Sequence, residues 1–379
     1  MKKEIKASTE NPRQLENLYQ SDKKKFEKAF FDIYPNISGS EISEFWKTRL
    51  EFKRTKRNSS IIRTRDILYL LVSCAIAGFL IEIPRFFDLG IKEDLFYAKN
   101  AGLIVLFGLS LFAFLTQESL KIKHILYAIS AFLLPAVYIN LLPSHDESNS
   151  IFLAYLHLPL MVWFLYGLIF IDFDFRNINR RMDFIRHNGD LAILLAIIAI
   201  SGGILTGVTI GLFSAIEVDI EKFYFDYIVL PGLVAAPVVA TFIIRLYPLI
   251  TQKIVPVMAG LFSPLVLLTL VIYLTAIIVT GKDPYNNRDF LLVFNLMLLG
   301  VMAIVVFSIS ESAPHKKQRL RNLTLFALSI VTLIIYLVAL SAILYRLGEF
   351  GFTPNRTAVL GSNLLIFGNL ILITLDLFR

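Results

Sequence analysis

Apolar residues in this chain come mostly in long unbroken stretches rather than in the three-and-four spacing of a surface helix. From residue 66 onward, runs near 20 residues recur, separated by short polar connections. A helix of about 20 apolar residues crosses a hydrocarbon core of about 30 Å. The pattern predicts ten membrane helices, over 66–86, 99–117, 122–142, 151–171, 190–214, 225–245, 256–280, 289–310, 322–345 and 355–376. The expected fold is therefore an all-α integral membrane protein. Residues 61–379 form the polytopic domain, and a short helical segment over 1–60 precedes it.

Residues 1–60 follow a different rule, with apolar positions on one face of short helices. Asn11-Pro12 with Gln14 caps a stripe of Leu15, Leu18 and Tyr19. Ser21 opens a second helix bearing Phe26, Phe30 and Ile33, which Pro35 stops. Ser38 and Glu41 form a capping box ahead of Ile42, Phe45, Trp46 and Leu50. Lys53, Arg54, Lys56, Arg57, Arg63 and Arg65 then lead into the first apolar run, a basic cluster suited to anionic lipid at a membrane surface. The segment reads as a cytoplasmic cap and orientation anchor, with aromatic faces that could dock a protein partner.

Composition agrees with this division: 56% of residues are hydrophobic and only 18% charged. The net charge of +7 sits entirely in residues 1–65, which hold 16 Lys and Arg against 9 Asp and Glu; the remaining 314 residues carry 21 of each sign. Nucleic acid is therefore not a partner that the basic pI implies; the lipid bilayer is. The single cysteine, Cys74, excludes a disulfide framework, and Met1-Lys2-Lys3 runs into polar sequence rather than a leader core. With the N-terminus cytoplasmic, the short inner loops hold 12 Lys and Arg against 8 outside, and both termini are expected in the cytoplasm.

The fifth predicted helix carries Ala199, Gly203, Gly207, Gly211 and Ala215 every four residues, a stripe along which another backbone can approach closely. The sixth contains Pro231, Gly232 and Pro237, so a kink or break is expected there. Ionisable residues deep in a membrane are functional by default, and few occur here. Glu82 and Asp226 lie at the same, outer face; His157 precedes Pro159; Asn295, Asn363 and Asn369 are uncharged. His124, His145, His157, His187 and His315 are too scattered for a zinc site, and neither a phosphate-binding glycine loop nor a nucleophile motif is present. No cofactor is implied, and an enzyme is the class with least support.

The densest chemistry outside the apolar runs is the connection Tyr345-Arg-Leu-Gly-Glu-Phe-Gly-Phe-Thr-Pro-Asn-Arg356. Gly348 can end one helix in the left-handed conformation, and Thr353-Pro354 caps and starts the next. Arg356 then falls in a first turn, the unfavourable end of the helix dipole for a cation, with Glu349 the nearest carboxylate in sequence. Arg346, Glu349, Arg356 and Asn363 are the candidate ligand-binding residues. The run from Arg346 through Phe350-Gly-Phe-Thr-Pro-Asn-Arg356 between two membrane helices resembles an uncharacterised family of polytopic bacterial membrane proteins, domain of unknown function 4153. That family carries tyrosine and leucine where this chain has Phe350 and Phe352. The resemblance implies a multi-helix fold and a bacterial cytoplasmic membrane, without an activity. Two functional readings stay open: a transport-type bundle for a small solute or lipid, or a non-catalytic scaffold or regulatory subunit that docks a partner through residues 1–60.

Overall fold

A computed structural model describes residues 1–9, 11–37, 39–59, 64–87, 92–117, 122–143, 148–247, 254–281, 288–310 and 319–378. Ser38, Arg63, Lys121, His145, Asp146, Glu147, Lys253, Asn287, His315, Lys316 and Lys317 lie outside the described residues, as do the side chains of Lys53 to Arg57, Phe350 and Asn355. The described residues are helices and their connections, with no strand among them, and they divide into two compact units, Met1–Thr64 and Arg65–Arg379.

The first unit holds α1 (Lys2–Ala7), α2 (Pro12–Ser21), α3 (Lys23–Ile33) and α4 (Glu41–Ser59). Asn11 caps α2 through the Gln14 N–H. The cap of α3 is Asp22 rather than Ser21: its carboxylate accepts from the Lys25 N–H, an interaction favoured at the positive end of a helix. The core gathers Ile5, Leu15, Tyr19, Phe26, Phe30, Trp46 and Leu50, with the Tyr19 and Phe26 rings 5.2 and 5.1 Å from Trp46. Phe45, expected on that face, points outward and is 62% exposed.

The second unit begins with α5 (Thr64–Ile81) and the short α6 (Ile83–Phe86), followed by α7 (Glu93–Leu115), α8 (Ile122–Leu141) and α9 (Asn149–Phe170). Next come α10 (Ile178–Ala215), α11 (Glu221–Tyr224) and α12 (Leu230–Leu246), and then α13 (Ile254–Thr280), α14 (Arg288–Ser310), α15 (Arg319–Phe350) and α16 (Pro354–Phe378). Among the described residues, seven helical stretches are long and apolar enough to cross a membrane: α7, α9, α10, the run from α11 through α12, α13, α15 and α16. Shorter apolar stretches cover Leu126–Leu141 and Val293–Ser308. Large apolar side chains such as Leu134, Leu141, Leu365 and Val279 are 70 to 78% exposed, which suits a lipid environment and would be a liability in water. The chain is a multi-pass, all-α membrane protein.

Two boundaries differ from the sequence reading for local reasons. Helix α10 starts twelve residues before position 190, because the Asn177 side chain accepts from the Arg180 N–H and fixes a cap there. Its 38 residues span about 57 Å at 1.5 Å each, so its first turns, with Arg180, Arg181 and Arg186, extend beyond its apolar part. Helix α15 runs through Gly348 to Phe350, and it is Gly351, at φ +74°, that takes the left-handed turn. In the sixth predicted helix, where a kink or break is expected, the chain has a π-helical turn over Phe225–Val229. Proline at 231 removes an N–H and crowds the carbonyl four residues back; the wider turn relieves both.

Candidate functional site: polar groups at both ends of α12

Glu82 closes α5 and is only 4% exposed, although its carboxylate is a charge in an apolar bundle. The short α6 starts beside it at Ile83, with Pro84 in its first turn, and carries Arg85 back over Glu82. The Arg85 guanidinium then meets both Glu82 oxygens at 2.9 and 3.1 Å. Its other arm donates to Asp226 Oδ1 at 2.8 Å, and it also reaches the Asp226 backbone carbonyl at 2.9 Å. Asp226 lies in the π-helical turn, where the normal ladder of backbone hydrogen bonds is displaced and a carbonyl can accept from outside the helix. Glu93, in the first turn of α7, stands 3.6 Å from Arg85 Nε. Three carboxylates thus surround one guanidinium, and the group is net negative. The rings of Tyr97 and Tyr227 flank Arg85 at 6.0 and 5.9 Å, and the buried Tyr97 hydroxyl has no hydrogen-bond partner among the described residues.

A second set adjoins this end. Lys99 and Asn100 on α7 are 8% and 5% exposed. The Lys99 ammonium donates to the Leu142 carbonyl at 2.8 Å, where a cation suits the negative end of α8. Asn100 and Asn140 exchange amide hydrogen bonds at 3.1 and 2.8 Å across the α7–α8 contact.

At the other end of α12, Tyr166 on α9 and His187 on α10 are buried, and a 2.7 Å hydrogen bond joins Tyr166 Oη to His187 Nε2. Phe170 stacks on the imidazole at 4.8 Å, and Arg245 places its guanidinium 5.9 Å from the Phe112 ring. Next to the pair, Trp163 Nε1 donates to Asn188 Oδ1 at 3.0 Å. Between the two ends the α5–α7–α12 seam is tight: a Cβ on Gly108 would come 2.8 Å from that of Ala77. The buried hydroxyls of Ser73 and Ser110 on α5 and α7 make no hydrogen bond among the described residues, unlike Thr209, Ser329 and Thr332, which bond their own helices.

The residues singled out from sequence are dispersed. Arg356 is capped as expected, with its N–H 3.4 Å from Thr353 Oγ1, and its side chain donates to the Gly351 carbonyl at 3.0 Å. That backbone contact offsets a cation in a first turn. Arg346 is half-buried and Glu349 exposed. Asn363, two turns beyond Arg356 on α16, is 1% exposed; it donates to the Val359 carbonyl, and its Oδ1 has no partner among the described residues. Asn369 faces outward. Among the glycines of the stripe, only Gly211 has a close neighbour among the described residues, Val293, whose methyls lie 2.9 and 3.0 Å from a Cβ placed there; Ala215 is buried in the core. Gly203 and Gly207 are exposed and meet nothing within 4 Å, so they form no seam inside the described chain. His157 is exposed and bonded to the Leu153 carbonyl of its own helix. Among the described residues, no group of three His, Cys, Asp or Glu side chains is placed to hold a metal ion.

Glu82 and Asp226 share one face, as the sequence suggests, but Arg85, inside the predicted helix 66–86, does not stand out in it. The available signal was Glu82 and Arg85 three apart across a proline. No family model, curated protein or solved structure matches the chain.

Proposed function

We propose that the second unit is a transport-type bundle that handles a small solute or lipid, set in a bacterial cytoplasmic membrane with both termini inside. One observation carries the reading: Arg85 bridges the end of α5 to the π-helical, proline-marked start of α12. A distorted membrane helix with charged groups gathered at its irregular turn is the kind of element on which transporters build binding and gating sites. The net negative charge of that cluster and the Tyr97 hydroxyl, which has no hydrogen-bond partner among the described residues, give it capacity for a proton or cationic group. Membership of the family whose hairpin the segment Arg346–Arg356 resembles belongs to the same proposal.

The test is reconstitution of the full chain in proteoliposomes loaded with a metabolite extract, with solute and lipid movement followed by mass spectrometry. Flux above that of empty vesicles, lost in Arg85→Gln and in Asp226→Asn, supports the reading. Flux no greater than in empty vesicles for every compound and lipid class overturns it. A second reading has its own support: the compact core of the first unit and the exposed Phe45 suit a regulatory subunit that docks a cytoplasmic protein. Co-purification of a stoichiometric partner that is lost in Phe45→Ala, together with absent flux, favours that reading.

A further inference from the structure

The turn between α9 and α10 adjoins the ends of α7 and α8, and it is strained. Asp172 and Phe173 are consecutive non-glycine residues in the left-handed conformation, both at φ +55°. Neighbouring elements hold the turn in place. Arg180, at the start of α10, donates to the Ile171 carbonyl at 3.0 Å, and Gln117, just past the end of α7, donates to the Ile169 carbonyl at 2.7 Å. Phe173 packs on the imidazole of His124, in the first turn of α8, with ring centroids 4.8 Å apart.

Three buried polar atoms here have no hydrogen-bond partner among the described residues: His124 Nδ1, Asp172 Oδ1 and Gln117 Oε1. Each can present a lone pair. His124 Nδ1 and Asp172 Oδ1 nevertheless stand 3.3 Å apart. That is near enough for a hydrogen bond, so it is direction that fails: the oxygen lies off the line along which the imidazole nitrogen points. Two ligands of one metal ion have that relation, since both point at a third place. With zinc–ligand bonds of about 2.0 Å and a tetrahedral angle, nitrogen and oxygen ligands sit about 3.3 Å apart. The Gln117 amide adjoins them, because its Nε2 and the Asp172 N–H share the Ile169 carbonyl. With Nε2 held there, Oε1 is the amide atom left to coordinate. Arg180 approaches the other carboxylate oxygen, Oδ2, at 3.5 Å, and its side chain is 44% exposed, so water screens its charge.

We propose that His124 Nδ1, Asp172 Oδ1 and Gln117 Oε1 bind a divalent transition metal of the zinc class, with water in the fourth position. Imidazole and carboxylate are ordinary ligands for such an ion, and three protein ligands plus water is a common zinc arrangement. The bound ion fastens the ends of α7 and α8 to the strained turn. The proposal goes beyond the transport reading and stands whether or not the bundle moves a substrate.

The full chain, purified without a polyhistidine tag and stripped with a chelator, is titrated with zinc chloride by calorimetry, and retained metal is counted by elemental mass spectrometry. One zinc per chain and a raised Tm are expected. His124→Ala and Asp172→Asn should each weaken binding by about a hundredfold or more, and Gln117→Leu by about tenfold. Cobalt in place of zinc should give the strong visible bands of a four-coordinate ion. A native chain that retains no zinc overturns the proposal, as does retention that survives both His124→Ala and Asp172→Asn, which places the metal elsewhere. Should those two variants fail to fold, the cobalt spectrum decides: weak six-coordinate bands in the native chain, or bands unchanged in Gln117→Leu, overturn the site.

Discussion

Arg85 holds together carboxylates that would otherwise repel one another. With Glu82 nearly excluded from solvent, replacing Arg85 by glutamine leaves a buried charge without its counter-ion, a loss of about 3 kcal/mol. Asp226, with 22% of its side chain exposed, is partly compensated by water, and Asp226→Asn should cost about 1 kcal/mol. The double variant Glu82→Gln/Arg85→Gln removes both charges and should recover most of the loss. Thermal unfolding in one detergent measures all three; additive losses for Glu82→Gln and Arg85→Gln would mean that the two side chains are not coupled. How far such sites show in a sequence depends on which helix end must be located. That Glu82 and Asp226 share one end of the bundle was legible from helix length, and Arg85 joins them there. The role of Arg85 was not, since whether it meets Glu82 depends on how the chain turns through α6 past Pro84. His187 was hidden in the same way, because the Asn177 cap moves a supposed loop residue into a helix facing Tyr166.

At the scale of an element, close approach of two helices depends on what faces a small residue and not on its spacing. The four-residue period from Ala199 to Ala215 was legible, yet a period of about four only states that the positions share a face. The facing partner is a tertiary fact. Gly108 shows no such stripe and still makes the tight contact, because Ala77 and Val238 are packed on it. A leucine at Gly108 should therefore force α5 and α7 apart and cost about 3 kcal/mol. Gly207→Leu should be neutral within about 0.5 kcal/mol, since its Cβ enters open space. The comparison is a pair of melting curves, and an equal fall for both variants would place a further neighbour on the stripe. An irregularity in the sixth predicted helix was legible too, since proline excludes a regular ladder; that it takes the form of a π turn was not. Pro231→Ala removes the reason for the wide turn, and should return Asp226 toward regular helix and loosen its contacts with Arg85.

For the molecule as a whole, the division into a basic, amphipathic first segment and an electroneutral apolar remainder was plain in composition, and the chain folds as two units near that boundary. Orientation rests on loop charge. In a Cys74→Ala background, a cysteine at Asn149 should label from outside intact cells and one at Arg176 should not; labelling at 176 alone reverses the topology. The role of the first unit is open to a sharper experiment. Its core is its own: Trp46 packs on Tyr19 and Phe26, and Arg49 lies 4.6 Å over Trp46 while paired with Glu16 at 2.9 Å. Membrane insertion, by contrast, is driven by the apolar helices of the second unit, which satisfy their backbone groups internally. Deleting residues 1–50 should therefore leave an inserted, monodisperse bundle with its Tm within a few degrees of the full chain, while any contact made by the aromatic face of the first unit is lost. Loss of insertion in the truncated chain would instead make the first unit part of the membrane fold.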